Sequence, residues 1–173
     1  MFKPALFLVL LSSLSFGLRA QSLKKSPISQ SGCTLYTYCD LKFESSLSPD
    51  SSKVYTGECA KDQISWGVIC VKLSEAKTDP DQAEELLISY MDYLKSSFNI
   101  KKAAGYGKGH QLNKDESTRG VLDYWEDPDK KNWKIKGWTN GRFIAVLYAY
   151  SLQELPENKV NVFLDGFRFP VAR

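Results

Sequence analysis

Residues 133–148 read WKIKGWTNGRFIAVLY, and this stretch decides the fold because it predicts two strands joined by a tight turn. Its Val, Ile, Trp and Tyr residues are of types enriched in β-strands, and Asn140-Gly141 is the strongest short-range hairpin signal in the chain. If Asn140 and Gly141 form the whole loop, Trp138 faces Phe143 across the two strands. The sequence therefore predicts an antiparallel hairpin in the C-terminal half of the chain.

Four other segments are predicted to be strands. Residues 34–43, 53–59 and 64–73 are short, rich in Val, Ile, Tyr and Thr, and separated by Ser-Pro-Asp and Lys-Asp turn signals. Residues 119–126 precede the hairpin and are separated from it by the polar turn at residues 127–132. Together with the hairpin, this last strand predicts an antiparallel meander.

A long helix is predicted over residues 80–98, between the two groups of strands. Asp79 can cap it, Pro80 suits the first helical position, and Gln82 follows three residues after the cap. Apolar side chains then recur at helical spacing at Ala83, Leu87, Tyr90, Leu94 and Phe98, in a stripe broadened by Leu86, Met91 and Tyr93. Such a stripe is typical of a helix that lies on a sheet.

A second helix is predicted to close the chain, with Pro156 in its first turn and Val160, Phe163, Leu164 and Phe167 on one side. Strands grouped before and after a helix favour the α+β class. The predicted fold is a single antiparallel sheet of about six to seven strands, packed by the long central helix and by the C-terminal helix.

Two segments of the C-terminal third carry a resemblance to a known family. They are the hairpin NGRFIAVLY at residues 140–148 and the end of the last helix, FLDGFRF, at residues 163–169. In these segments the chain resembles the PsbP/Mog1-like family of α/β/α sandwiches, and the order of elements is similar over residues 39–169. The N-terminal cysteines are not part of the family's pattern. The resemblance implies a non-catalytic accessory or binding protein, and it transfers no site residue.

Residues 1–20 have the parts of a secretory signal peptide. Lys3 supplies the positive charge, an apolar run follows, and Ala20 offers a small residue for cleavage, with Gly17 as a competing site. The apolar run is shorter than the roughly 20 residues that a membrane-spanning helix needs. We therefore expect export to a periplasm or to the outside of the cell, without stable membrane insertion.

Behind the signal peptide, residues 21–32 are polar and predict a flexible leader, and residues 33–173 have a length that suits a single α+β domain. Cleavage of the signal peptide removes Lys3 and Arg19, so the formal net charge falls from +3 to +1. A nearly neutral chain without a block of Lys and Arg does not fit nucleic-acid binding. We therefore expect no nucleic-acid partner.

Four cysteines, Cys33, Cys39, Cys59 and Cys70, all lie in the first half of the expected mature chain. In an exported protein four cysteines allow three ways of forming two disulfides. Proximity in sequence favours Cys33–Cys39 together with Cys59–Cys70. A zinc site is disfavoured because the chain has no Cys-x-x-Cys pair and His110 is its only histidine.

One face of the meander has a mixed character. The predicted register places these residues on it: Asp123, Trp125, Lys134, Lys136, Trp138, Phe143, Ala145 and Leu147. A solvated face seldom holds two tryptophans and a phenylalanine, and a buried face seldom holds two lysines. Two interpretations follow, one structural and one functional.

In the structural interpretation, the last helix or the N-terminal segment covers the apolar end of this face, lysine stems lie over Trp125, and Asp123 pairs with Lys136. In the functional interpretation, five side chains form a docking surface for a glycan or a partner protein through stacking and cation–π contacts. These candidate binding residues are Trp125, Lys134, Lys136, Trp138 and Phe143.

Two further motifs resemble binding loops. Residues 126–129, EDPD, together with Asn132 could present oxygen ligands to calcium, but their spacing does not match an EF-hand loop, and a solvated hairpin tip is the simpler interpretation. Residues 105–110, GYGKGH, lack both the Walker spacing and the dinucleotide-binding fingerprint. They favour a connector or a glycine-bearing edge strand over a phosphate site.

An enzyme is the competing class of protein. Asp123 and Glu126 are three residues apart in a predicted strand and therefore point to opposite faces, and His110 has no nucleophile near it in sequence. The predicted function is an exported, non-catalytic binding or accessory protein without a cofactor, whose partner is a protein, a glycan or a small molecule. The alternatives are a small secreted hydrolase that uses His110, and a carrier of a lipid or small molecule in a cavity between helix and sheet.

Overall fold

The computed structural model of the chain describes residues 23–171. The expected signal peptide and the first two residues of the expected leader lie outside these residues. In chain order the strands and helices are β1 Lys24–Pro27, β2 Thr34–Thr37, β3 Lys42–Leu47, β4 Lys53–Lys61, β5 Ile64–Lys72, α1 Pro80–Ser97, β6 Lys102–Ala103, β7 Gly107–His110, β8 Arg119–Glu126, β9 Asn132–Thr139, β10 Phe143–Ser151, α2 Glu157–Leu164 and β11 Phe167–Arg168.

The strands form two antiparallel sheets, and the fold is α+β. The larger sheet has eight strands in the order β3-β4-β5-β10-β9-β8-β6, with β7 also paired to β8. The smaller sheet has the order β1-β2-β11. The prediction of one sheet with six to seven strands was therefore wrong in extent, because the large sheet is wider and a second sheet is present.

Helix α1 begins and packs as its sequence predicts. The side chain of Asp79 accepts a hydrogen bond from the backbone N–H of Asp81 at 2.9 Å, and Pro80 is the first helical residue. The helix lies against β8 and β9. Its buried residues, Ala83, Leu87, Met91 and Leu94, form the side that faces the sheet. The capping signal and the helical stripe are both confirmed.

The β9–β10 hairpin forms, but with a longer loop than predicted. Trp138 pairs with Ala145 rather than with Phe143, so the register is shifted by two residues, and the first paired residues beside the turn are Thr139 and Ile144. The Asn140 side-chain oxygen accepts hydrogen bonds from the backbone N–H groups of Arg142 and Phe143 at 3.1 and 3.0 Å, which stabilises this wider turn. Because a shift of two residues conserves the side-chain alternation, each residue of β9 and β10 stays on its predicted face.

Strand β8, in contrast, lies one residue out of the predicted phase. Asp123 pairs with Ile135 and Trp125 pairs with Trp133, so both side chains face α1. They are therefore on the face opposite to Lys134 and Lys136, and the predicted pairing of Asp123 with Lys136 is wrong. A shift of one residue moves every side chain of a strand to the other face.

The N-terminal and C-terminal segments build the smaller sheet. Part of the expected flexible leader forms β1, which pairs with β2, and the buried Ile28 follows it directly. The strand predicted over residues 34–43 is two strands in different sheets, because the Thr37 hydroxyl and the Cys39 backbone close a turn after β2. Phe167 lies in β11 rather than on the last helix, which ends at Leu164.

Two apolar cores lie on opposite faces of the large sheet. The core under α1 contains Ile69, Val71, Leu87, Met91, Leu94, Val121, Trp125, Trp133, Ile135, Ile144, Val146 and Tyr148. The core under α2 and the small sheet includes Leu35, Trp66, Val68, Trp138, Phe143, Leu147, Val160, Phe163 and Phe167. The molecule is thus layered, with the large sheet in the middle.

One disulfide, Cys39–Cys59, joins the segment after β2 to strand β4. The expected pairing of Cys33 with Cys39 and of Cys59 with Cys70 is therefore wrong. In the β4–β5 hairpin, Cys59 lies opposite Trp66 whereas Cys70 lies opposite Tyr55, so the two cysteines are about 13 Å apart along the strands. That separation is too large for a disulfide.

No helix within residues 23–171 has both the length and the apolar character needed to cross a membrane.

Candidate ligand-binding cleft

All five candidate binding residues are buried. Trp125, Lys134, Lys136, Trp138 and Phe143 are between 2% and 8% exposed. Lys134 forms an ion pair with Glu157, and Lys136 forms one with Asp165 at 2.7 Å. Helix α2 and the residue that follows it thus supply the acids that neutralise both lysines. Covered in this way, Trp138 and Phe143 belong to the core and are not part of an open docking surface.

Trp125 and Lys134 both line a small cleft of about 360 Å³ at one end of the large sheet, although their side chains lie on opposite faces. The cleft is also lined by Tyr124, Asn132, Trp133, Glu154, Leu155 and Glu157. The Lys134 ammonium lies 5.0 Å from the centre of the Tyr124 ring and is paired with the carboxylate of Glu157. The groups that could recognise a glycan here are therefore already bound to one another.

His110 lies at the end of the edge strand β7, in a pocket of about 290 Å³ with Gly109, Gln111, Glu116 and Arg119. Partial burial and the positive charge of Lys136 lower the pKa of His110. The segment at residues 105–110 thus contains an edge strand paired to β8, which was one of the two interpretations of its glycines.

The two carboxylates considered for hydrolysis are held by structural contacts. Asp123 is fully buried and accepts hydrogen bonds from the Trp125 indole at 2.7 Å and from the Gly105 backbone at 3.0 Å. It also lies 3.2 Å from the ammonium of Lys95 on α1. Glu126 forms ion pairs with Lys102 and Lys130 at the end of the strand. Asp123 therefore anchors the segment after β6 against α1.

The acidic turn behind β8 is also occupied by its own partners. Asp127 accepts hydrogen bonds from the Trp133 indole at 3.1 Å and from the Lys131 backbone at 3.0 Å. Asp129 pairs with Lys131. In the described part of the chain, no group of three or more His, Cys, Asp or Glu side chains is arranged to hold a metal ion.

The most apolar cavity lies between α1 and the half of the large sheet that α1 does not cover; we call it the α1 cleft. Its volume is about 530 Å³. Val54, Val71 and Ile144 form its floor, and they are neighbours in one row across β4, β5 and β10. The α1 cleft therefore has a flat aliphatic base that belongs to three central strands.

Helix α1 forms the wall of the α1 cleft. Leu86, Tyr90 and Tyr93 follow one another at spacings of four and three residues, so they lie on one side of the helix. This side is different from the one buried against β8 and β9. Tyr93 is 63% exposed, and Leu86 and Tyr90 are half-buried. The helix thus presents one apolar side to the core and a second, partly open one to the cleft.

The rim is formed by the turn between β3 and β4. The carboxylate of Asp50 accepts hydrogen bonds from the hydroxyls of Ser48 and Ser52 and from the Ser52 backbone N–H. These contacts lower the pKa of Asp50, so it carries its negative charge at neutral pH. The other residues that line the α1 cleft are Ser46, Pro49 and Leu73.

Three hydroxyl groups in the α1 cleft are available to a ligand. Within residues 23–171, the side chains of Ser46, Tyr90 and Tyr93 make no hydrogen bond to another residue. Burial of Tyr90 raises its pKa to about 12, so its hydroxyl stays protonated and can donate a hydrogen bond at neutral pH. The cleft therefore combines an aliphatic base with a few convergent polar groups, as small-molecule sites do.

A cavity between helix and sheet was only an alternative prediction from the sequence, and none of its lining residues was predicted, although one signal for them was present. Leu86, Tyr90 and Tyr93 widen the apolar stripe of α1 beyond the residues that its core contacts need. A stripe of that width indicates a helix with a second apolar contact surface. The floor residues gave no such signal, because a buried strand and the base of a cleft have the same composition.

No family model matches the chain, and no curated protein matches its sequence significantly.

Proposed function

We propose that this chain is an exported, non-catalytic binding protein that holds a small molecule in the α1 cleft. The ligand has an apolar body and a neutral or cationic polar group. The observation that carries this proposal is the α1 cleft itself, a cavity of about 530 Å³ whose base is Val54, Val71 and Ile144. Ligand pockets of small molecules have volumes of roughly 300–1,000 Å³ and a mostly apolar lining.

The charge of the cleft supports the choice of polar group. Among the residues that the structure describes around the α1 cleft, Asp50 is the one charged side chain. A carboxylate at the rim repels an anion and attracts a cation over a few ångströms. The free hydroxyls of Tyr90, Tyr93 and Ser46 can both donate and accept hydrogen bonds, which suits amine, amide or hydroxyl groups.

The other clefts support the proposal less well. The cavity of about 490 Å³ at the edge strand β3 is lined mainly by Ser29, Gln30, Ser45, Ser46 and Lys53, with Tyr55 and Leu47 as its larger apolar residues. In the cleft at Trp125, the Lys134 ammonium is already paired with Glu157. Neither offers a continuous aliphatic base.

Two features support export. Residues 1–20 have the pattern of a signal peptide. The Cys39–Cys59 disulfide suits an oxidising compartment, since disulfides are rare in the cytosol. A periplasmic or extracellular carrier of a small molecule is consistent with both.

A pair of fluorescent probes tests the proposed ligand class. N-phenylnaphthylamine is neutral, and anilinonaphthalene sulfonate has the same ring system with an added negative charge. We expect the neutral probe to bind more tightly to the native chain and the Asp50→Asn variant to bind the sulfonate more tightly than the native chain does. Tighter binding of the sulfonate to the native chain, unchanged by Asp50→Asn, would contradict the proposal.

A further inference from the structure

The two cysteines outside the disulfide, Cys33 and Cys70, lie against each other in the core under the small sheet. Both have no exposed surface, and both belong to the same apolar cluster. Their thiols are within hydrogen-bonding distance of one another, and the Ser31 hydroxyl contacts both. Two thiols from distant parts of the chain are therefore in direct contact.

The backbone holds both side chains in this position. Cys33 donates its N–H to the Ser31 hydroxyl at 3.0 Å, and its carbonyl accepts the Ile28 N–H at 2.9 Å. Cys70 lies in the middle of the large sheet, where it pairs with Tyr55 on one side and Ala145 on the other. The contact between the thiols thus joins a tight turn before β2 to a central strand.

We propose that Cys33 and Cys70 form a second disulfide in the exported protein. This bond links the three-stranded sheet covalently to the eight-stranded sheet. The Cys39–Cys59 bond already joins the segment after β2 to β4. With the second bond, the chain would be tied to the large sheet on both sides of β2. All four cysteines would then be paired, as is usual for an even number of cysteines in an exported domain.

The bond forms by thiol–disulfide exchange with a disulfide oxidant such as glutathione disulfide. The Cys33 thiolate attacks one sulfur of the oxidant, which releases one glutathione and leaves a mixed disulfide on Cys33. The Cys70 thiol loses its proton and attacks the Cys33 sulfur, which releases the second glutathione. The two cysteine sulfurs together lose two electrons and two protons, and the oxidant becomes two thiols.

Contact between the two thiols changes the pKa of each. The hydrogen bond from Cys70 lowers the pKa of Cys33, and the same contact together with burial raises the pKa of Cys70. The thiolate is the nucleophile in exchange, and these pKa shifts arise only once the two side chains are packed together, so either cysteine can be the first to attack. Because both sulfurs are inaccessible in the folded chain, the exchange takes place before the small sheet packs against the large one.

Peptide mapping without reductant tests the proposal. The purified chain is fully reduced, refolded in a buffer of reduced and oxidised glutathione, treated with N-ethylmaleimide in denaturant, and digested. We expect no cysteine to take up N-ethylmaleimide, a mass four hydrogens below that of the reduced chain, and a peptide pair joined through Cys33 and Cys70. The refolding buffer supplies the oxidant, so the result does not depend on export or on ligand binding.

Two outcomes would overturn the proposal. One is a refolded chain in which Cys39–Cys59 is complete but Cys33 and Cys70 are both alkylated. The other is a peptide pair that joins either of these cysteines to Cys39 or Cys59. The fully reduced chain, which takes up four N-ethylmaleimide groups, is the control for complete alkylation.

Single variants give a second measurement. In Cys33→Ser and in Cys70→Ser we expect one alkylated thiol each, on the remaining partner, with Cys39–Cys59 unchanged. If a variant does not refold, the map of the native chain still decides the question. An alkylated thiol elsewhere than on the partner would contradict the assignment.

Discussion

The indole N–H of Trp138 on β9 donates a hydrogen bond to the backbone carbonyl of Leu164, at the end of α2, over 2.8 Å. The last carbonyls of a helix lack partners within the helix, so this contact both ends α2 and fixes it on the sheet. Trp138 is 2% exposed, and its ring lies across Gly120 of β8. A residue that a sequence pattern offers as a docking platform is thus the point where helix, hairpin and meander meet.

Replacement of Trp138 should therefore destabilise the fold. We expect Trp138→Ala to lower the free energy of unfolding by about 3–5 kcal/mol, which is typical of a large aromatic residue removed from a core. Trp138→Phe keeps most of the ring but leaves the Leu164 carbonyl without its donor, and should cost about 1–3 kcal/mol. Urea unfolding monitored by circular dichroism measures both. The exposed Val162→Ala on α2 is the control, with an expected change below about 0.5 kcal/mol.

In the Lys134–Glu157 ion pair, we expect removal of the acid to cost more stability than removal of the lysine. Its side chain is 4% exposed, whereas that of its partner Glu157 is 62% exposed. Glu157→Gln leaves a buried ammonium without a carboxylate and should cost about 1–2 kcal/mol, less than a wholly buried pair would lose. Lys134→Met keeps the aliphatic stem and should cost less than Glu157→Gln. A double variant as unstable as Glu157→Gln alone would show that the charge of Lys134 is not the cause.

A side chain at Gly67 should disturb the packing on the α1 face of the large sheet. A Cβ atom at Gly67 would lie 2.1 Å from the Cζ atom of Tyr148, whose hydroxyl donates a hydrogen bond to Glu58 at 3.0 Å. Gly67→Ala must displace the Tyr148 ring and should cost about 1–3 kcal/mol. The near-ultraviolet circular dichroism of the aromatic side chains should change at the same time. An unchanged spectrum with native stability would contradict this packing.

The lowered pKa of His110 predicts how the stability of the fold changes with pH. Burial and Lys136 lower its pKa below the ordinary value of 6.5, so the folded chain binds this proton less well than the unfolded chain. The resulting loss of stability is fully present below the lowered pKa and disappears as the pH rises to about 6.5. Because His110 is the only histidine, its ring proton signal in a nuclear magnetic resonance titration is unambiguous. His110→Gln should remove this loss of stability at low pH. A titration midpoint above 6.5 would contradict the lowered pKa of His110.

Local signals predicted the elements that depend on neighbouring residues. The cap at Asp79 and the apolar stripe behind it define α1 correctly. The Asn140-Gly141 turn identifies the hairpin, although the side chain of Asn140 accepts two backbone hydrogen bonds and stabilises a wider turn than the predicted one. That difference leaves the faces unchanged. The loop of five residues between Glu126 and Asn132 places the side chains of β8 on the faces opposite to those predicted. No local signal in the sequence distinguishes this loop from one of a different length.

Features that depend on distant pairing were not predictable in the same way. Strands β1 and β11 are short and gain their order only by pairing with β2. The Cys39–Cys59 disulfide joins the segment that follows β2 of the small sheet to β4 of the large sheet. The mixed face was recognised as unusual from its lysines, and its explanation lies in Glu157 and Asp165, which reach Lys134 and Lys136 from α2. The α1 cleft exists because one helix covers only part of an eight-stranded sheet, which is a property of the assembled fold.

A variant that fills the α1 cleft shows whether this cleft holds the ligand. Ser46 on β3 is exposed, lines the cleft and pairs with Val54, whereas its neighbour Ser45 points to the opposite face and pairs with Tyr55. A tryptophan at position 46 therefore fills the cleft, and the same substitution at position 45 does not. Both positions are in the same edge strand, so the two variants are matched in strand propensity and in added apolar surface.

The measurement is the affinity of N-phenylnaphthylamine for the native chain, for Ser46→Trp and for Ser45→Trp, from the increase in probe fluorescence. We expect binding that is at least about tenfold weaker in Ser46→Trp, equivalent to about 1.4 kcal/mol, and unchanged in Ser45→Trp. Equal affinity in all three proteins, or a loss confined to Ser45→Trp, would show that the ligand does not bind in the α1 cleft.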